Sequence, residues 1–517
     1  MKLCTTILLL IICFSSSAQQ RSVNIPVTQD HRSDGGFQIE SIEDGYLIIA
    51  QCKCHVDALY SDCLGLLKID ELGNTIWSHI YDGSPDMNLY SPVGDAMVLL
   101  GDTIVVCGKI DKVDHTEIRL MSFDMEGALI NQEDIAIPDA NELFIRGMLV
   151  VGDSLMVYGE VNNGERKIYL YFLDHQFNVL GHKLIGNPNL SKGFISLRKK
   201  KSEGFILAYS EPHPNSTSIN SAVIADLNDS FEVVFTKKIL EGGNLFPGIE
   251  IFETEDKGYM LGWYKDLSDT IVFPPLYPYP PAIYKLDSLA NLEWEYVFAH
   301  RTAKEFISCI ETNDGKMFGI GASDYFSAND IYDRSSDGFC FLIDTEGNLL
   351  WERVIADLRD SRSGRFWHAV HNNEDGYAIV GDLDMVNPTG VPFLNNPDVW
   401  FLTLDENGCW NGNCDKYIAI NGETTTDTDD PLVMANSTLE VYPNPNNGIM
   451  TIEFSDFQMK QNRTIEVSDL NGKLITQYKP MAPKMILNLF HLNNGIYFIT
   501  KKVAGEKHTT EKIIIQH

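Results

Sequence analysis

Leu342-Ile343-Asp344-Thr345-Glu346-Gly347-Asn348-Leu349-Leu350-Trp351 reads as the end of a strand, a tight turn and the start of the next strand. Asp344 can bond the turn's own backbone, and Gly347 can take the positive φ that the turn requires. Trp351 then offers a large flat surface for packing. Close copies run from Ile69 to Trp77, around Asp70 and Gly73, and from Leu286 to Trp294, around Asp287. In all three the tryptophan lies seven residues past the aspartate. Weaker copies centre on Asp124, Asp174, Asp226 and Asp405, so the aspartates recur at intervals of 50–61 residues. A regular period in this range marks an array or a propeller.

A second signal, a turn followed by an apolar run, precedes each aspartate. It appears at Asp44-Gly45, Gly101-Asp102, Gly152-Asp153, Glu203-Gly204, Lys257-Gly258, Asp314-Gly315 and Asp375-Gly376. The two signals alternate, which divides each unit into four strands. In the first unit these are Phe37 to Glu43, Tyr46 to Gln51, Leu64 to Ile69 and Thr75 to Tyr81. Short runs of β-branched and aromatic residues between turn residues carry the strand signature. A lone four-stranded sheet leaves both faces bare, whereas a ring of seven covers them. The expected fold is therefore all-β, a seven-bladed β-propeller, followed by a small immunoglobulin-like β-sandwich. The last unit runs short after Asp405, with only Cys409-Trp410-Asn411 as a stub, while Ser22 to Asp30 resembles an outer strand without a blade. The N-terminal segment is expected to complete the last blade and remove its open edge.

Residues 1–18, with Lys2, an apolar core from Ile7 to Phe14 and Ser16-Ser17-Ala18, read as a signal peptide. The propeller is expected over 19–418, a polar linker over 419–436 and the terminal domain over 437–517. No other stretch is long and apolar enough to cross a bilayer as a helix. The 72 acidic residues against 40 basic ones give a net charge of −32. That excess disfavours nucleic acid and anionic membranes as partners. Export allows disulfides. Cys409–Cys414 and Cys54–Cys63 are the expected pairs, with Cys52 competing for the second. Cys107, Cys309 and Cys340 fall in strand patterns and read as buried thiols. The spacing of Cys52-Lys53-Cys54-His55 does not suit zinc, so no metal and no cofactor is expected. Each repeated aspartate stands alone in its turn, which argues turn chemistry rather than calcium.

The terminal piece contains Tyr442-Pro443-Asn444-Pro445 with Gly448, then Asp469 to Leu474 around Gly472, then Gly495-Ile496-Tyr497 and Lys512 to Ile515. In this order, behind a linker and a signal peptide, these motifs resemble the type A C-terminal sorting domain of the Bacteroidota type IX secretion system. The resemblance implies the type IX machinery as a partner and a destination at the cell surface or in the medium. It covers about 80 residues and leaves the cargo's role open. The Asp-to-Trp spacing of the repeats is similar to the tryptophan-docking repeat of quinoprotein-like propellers, where those residues hold blades together.

Function is expected on the loops between the second and third strands of each unit, which vary in length and share one face. The fifth and sixth of these loops carry the candidate binding residues Trp263, Tyr264, Phe273, Tyr277, Tyr279, Tyr325 and Phe326. Prolines around Tyr277 and Tyr279 stiffen the fifth, so little order is lost on binding. No Gly-x-Ser-x-Gly, His-Glu-x-x-His or phosphate loop occurs, and His55, His115, His300, His368 and His371 show no ligand spacing. The expectation is a monomeric, non-enzymatic binding module for a glycan, a peptide or an envelope protein. A secreted polysaccharide hydrolase or lyase and a structural envelope component are the alternatives.

Overall fold

The computed structural model describes residues 21–516 apart from most of the longer loops; residues 1–20, 54–61, 266–279, 324–335, 386–396 and 421–438 are among those outside the described residues. The expected signal peptide is outside them as well. Every regular element of the described residues is a β-strand. The chain falls into two compact units, one up to Gly422 and one from Glu423 onward.

The first unit holds seven sheets among the described residues, each built on an antiparallel meander. Blade 1 is built from Gly35–Ile42, Gly45–Lys53, Asp62–Ile69 and Thr75–Tyr81. Each sheet packs on the next through buried aliphatic and aromatic side chains, and the last packs back on the first. This cyclic order makes the unit a β-propeller.

The repeated turn works as its composition suggests. Asp70 Oδ1 accepts the backbone N–H groups of Leu72 (2.9 Å) and Asn74 (2.8 Å), and Oδ2 accepts Asn74 Nδ2 (2.8 Å). The same Oδ1 pair of bonds recurs at Asp124, Asp174, Asp287, Asp344 and Asp405. The fourth copy needs correction: there the turn belongs to Asn228, which accepts Ser230 N and Glu232 N. Asp226 is still in the strand, opposite Ile206, and bonds Lys200 and Tyr259 instead. An asparagine side chain offers the same acceptor oxygen, so the turn simply starts two residues later.

Just past the turn in blades 1–6 the outer strand carries one extra residue, such as Ile76 in blade 1 and Leu350 in blade 6. The bulge re-aims the following side chain. Trp77 thereby donates from Nε1 to Met125 O (3.1 Å) and Trp294 to Thr345 O (2.9 Å), each on the next blade's turn. The tryptophans are blade-to-blade docking residues, as the repeat resemblance implied.

Closure uses the N-terminus. Ser22–Ile25 is the outer strand of blade 7, antiparallel to Pro397–Leu404 with Val23 opposite Phe401. Trp400 Nε1 donates to Ser22 Oγ at 3.0 Å. The path of the chain beyond blade 7 departs from the expected linker. It passes through the Cys409–Cys414 disulfide, and Tyr417–Ile420 then adds to Leu349–Asp357 of blade 6 as a parallel fifth strand. Ile418 and Ile420 are fully buried there, which is why this short apolar run does not continue as linker. Cys107, Cys309 and Cys340 are buried thiols. Cys63 is disulfide-bonded, while its expected partner Cys54 is outside the described residues.

Among the described residues the second unit has two sheets, Leu439–Tyr442, Ile449–Phe454 and Lys484–Asn488 in one, and Leu474–Tyr478, Arg463–Ser468, Gly495–Val503 and Glu506–Ile515 in the other. Met450, Ile452 and Leu487 of the first meet Ile465, Val467, Ile499 and Ile513 of the second in one core. Gly448 adopts φ +90, and a Cβ there would come within 2.6 Å of Phe490 Cα, so only glycine fits. Asn446 ties the motif to the chain end: its backbone N–H and its Nδ2 both donate to Ile514 O.

Candidate functional site

Of the aromatic residues expected to bind, the two among the described residues do not lie at a surface. Trp263 and Tyr264 lie on the second strand of blade 5 and are 3% and 1% exposed. The Tyr264 hydroxyl donates to Phe306 O (3.0 Å) and accepts from Phe306 N (3.2 Å), clamping blade 5 to blade 6. Their expected role is corrected accordingly: they end a strand buried on both faces and precede the loop rather than belong to it. Phe273, Tyr277, Tyr279, Tyr325 and Phe326 are outside the described residues. In the tail, Pro443, Asn444, Pro445 and Gly472 are also outside them. Tyr442 ends a strand, Gly495 begins one, and Tyr497 and Lys512 face each other's strands in the second sheet.

The inner strands instead bring charged groups together along the axis, where a propeller has its channel. Arg198 of blade 4 is the hub. One terminal nitrogen donates to Asp95 of blade 2 and the other to Glu250 of blade 5 at 3.0 Å. Asp95 also accepts from Tyr158 of blade 3 (2.9 Å), and Glu250 from Ser196 (2.7 Å). Gln38 of blade 1 bonds Met97 N and O as well as Glu40. His368 of blade 7 accepts from Ile39 N through Nδ1. Asp95, Arg198 and Glu250 keep between 17% and 25% of their side-chain surface, so they line a narrow accessible space.

The axial environment drives these groups apart. Burial lifts Glu40 to about 7, against its bond from Gln38. Burial lifts Glu250 too, despite Arg198. At Asp95 burial pushes upward, but Arg198 and His368 outweigh it and hold the carboxyl below its usual range. Burial pushes His368 down to about 4, leaving it neutral.

Above this network, at the end where the long loops spring, a second cluster spans the seam between blades 7 and 1. Trp367 is the extra residue of a bulge in the inner strand Ser361–His371, and Phe37 the extra residue of the matching bulge in Gly35–Ile42. Both rings are part-exposed and meet edge to face, centroids 5.3 Å apart. The Arg365 guanidinium lies over Trp367 at 5.4 Å, and Trp367 Nε1 donates to Asp382. Burial raises Asp382 to about 6, with Arg365 pulling the other way, and also raises Asp384. Sequence reading missed Phe37, Arg365, Trp367 and Asp382 because a bulge leaves no mark in strand periodicity. Among the described residues no group of histidines, cysteines and acids is placed to hold a metal ion.

No curated protein matches the chain. Among solved structures it is similar to puromycin hydrolase, with 10% identity and a TM-score of 0.46, covering 82% of this chain and 59% of that one. It is also similar to the β-propeller domain of the Trilobed protease from Pyrococcus furiosus (11%, 0.40, covering 77% and 100%). A third likeness is to an α-L-arabinanase from Penicillium chrysogenum (11%, 0.39, covering 75% and 98%). The chain thus spans about three fifths of the puromycin hydrolase. Residues 440–516 match the family described as the secretion system C-terminal sorting domain, so the propeller is cargo of the type IX machinery, exported to the cell surface or beyond.

Proposed function

We propose that the exported propeller is a non-enzymatic binding module that receives a glycan, a peptide or an envelope protein at its axial mouth. The observation that carries this reading is the part-exposed Phe37–Trp367 pair, set beside Arg365 and Asp382 on the long-loop end of the axis. Aromatic surface with a few convergent polar groups is the usual make-up of a ligand site. The test is a glycan and peptide array probed with the mature chain. Trp367→Ala should weaken the bound signal at least tenfold while leaving the thermal melt within a few degrees. An undiminished signal from a folded variant would remove the mouth from the account.

A second reading, hydrolysis of a polysaccharide, draws on Glu40 and Asp95. One carboxyl is held protonated to about pH 7 and the other is kept ionised, which is the division an acid and its partner need. Against it, Asp95 and Glu250 already share the same guanidinium. Release of reducing ends from plant or algal polysaccharides, lost in Glu40→Gln, would favour the enzyme.

A further inference from the structure

We infer that the ligand of the axial mouth is an uncharged saccharide, with neighbouring hydroxyls spanning Arg365 and Asp382 and one sugar face against Phe37 and Trp367. The inference rests on the binding reading of that mouth and narrows its ligand.

Arg365 is an unusual cation in this chain. Among the described residues it makes no hydrogen bond, although a third of its side chain is exposed. Its Nε is shielded and unbonded, 3.6 Å from Asp382 Oδ1, which is too long for a hydrogen bond. The two terminal nitrogens are its remaining donors. The guanidinium sits over the Trp367 ring, a contact that narrows its freedom before any ligand arrives. Asp382 stands directly opposite Arg365 in the strand register. Its Oδ1 takes the Trp367 N–H, and Oδ2 accepts no hydrogen bond among the described residues. An open donor fork therefore sits beside an open acceptor. A hydroxyl both donates and accepts, so a pair of adjacent hydroxyls satisfies the two together. The part-exposed rings of Phe37 and Trp367 supply the apolar surface that the C–H face of a sugar needs.

Charged ligands suit the mouth less. Among the described residues Asp384 of blade 7 and Glu305 of blade 6 add their negative field at Asp382, and Asp384 also feels the Arg365 charge. With a net charge of −32 behind them, a uronate or sulfated chain meets repulsion. A cationic side chain would have to displace Arg365 from the ring it already covers.

Calorimetric titration of the mature chain tests this. The probes are uncharged glucan, xylan, mannan and arabinan oligosaccharides, an oligogalacturonate and a lysine-rich peptide. At least one uncharged oligosaccharide should bind. Arg365→Met and Asp382→Ala should each weaken it tenfold or more, Arg365→Lys by less, and Lys201→Ala, on the opposite face, by under twofold. Thermal melts of each variant separate loss of contact from loss of fold. Binding of only the oligogalacturonate or the peptide, weakened by the same substitutions, overturns the saccharide while keeping the mouth. Binding indifferent to both Arg365→Met and Asp382→Ala, or no binding by any probe, overturns both.

Discussion

Ala290 holds φ +58 at the turn position where Gly73, Gly127, Gly347 and Gly408 stand in other blades. A left-handed alanine costs about 1–2 kcal/mol, part of which returns through its stiffer unfolded chain. Ala290→Gly should therefore stabilise the protein by about 0.5–1 kcal/mol in denaturant titration. The reverse change at Gly127 should cost roughly 2–3 kcal/mol, because a Cβ would lie 2.5 Å from His79 and 2.9 Å from Trp77. Gly101→Ala, with nothing within 4 Å, should cost only the backbone strain, about 1 kcal/mol. Glu40 makes a prediction in pH. Its folded value of about 7 exceeds the ordinary 4.5, so the folded chain holds that proton more tightly. Its contribution to stability is full below 4.5 and is lost as pH rises through 7. Glu40→Gln should gain on the native chain above about pH 8, by on the order of 1 kcal/mol, and lose that advantage below about pH 5. His368 runs the other way, its contribution present above 6.5 and lost as pH falls through about 4.

Two pieces of chain act as fasteners. Ser22–Ile25 buries Ile25, and Val27 joins it in the core. Deleting residues 21–27 should lower stability by about 3–5 kcal/mol, read as a shift in the denaturation midpoint. The axial hub is comparably exposed to change. Arg198→Met strands Asp95 and Glu250 and should cost roughly 2–3 kcal/mol, somewhat under the value for a fully buried pair. Elements with periodic chemistry were legible in the sequence: the turns through their aspartates, the docking tryptophans through their spacing, the closing strand through the short last unit and the outer strand left without a blade. Those set by a single local choice were not. Asn228 replaces an aspartate with a residue that bonds alike. Phe177 and Phe231 occupy the left-handed turn position usually given to glycine, and their rings are buried, so a turn exists where its usual marker is missing. Tyr417–Ile420 pairs parallel across some sixty residues of chain, which no neighbouring pattern records. The axial mouth was hidden for a related reason, since its members come from blades 1 and 7 and its two rings are aimed by bulges.

The two compact units make one prediction for the molecule as a whole. A chain ending at Gly422 should keep the propeller's melting transition within a few degrees and fail to leave the cell, which fractionation of culture and envelope would reveal. The way the ring is shut also governs how the molecule matures. Arg21 and Thr403 bond each other across 382 positions, so the earliest propeller residues synthesised are among the last to find their neighbours. Until the seventh blade has been made, they have nowhere to dock. Loop closure over such a span is slow, so blade 7 should be the last part of the ring to close. An export intermediate stalled before that point should be recognisable by a protease-sensitive blade 7 beside an already resistant blade 3.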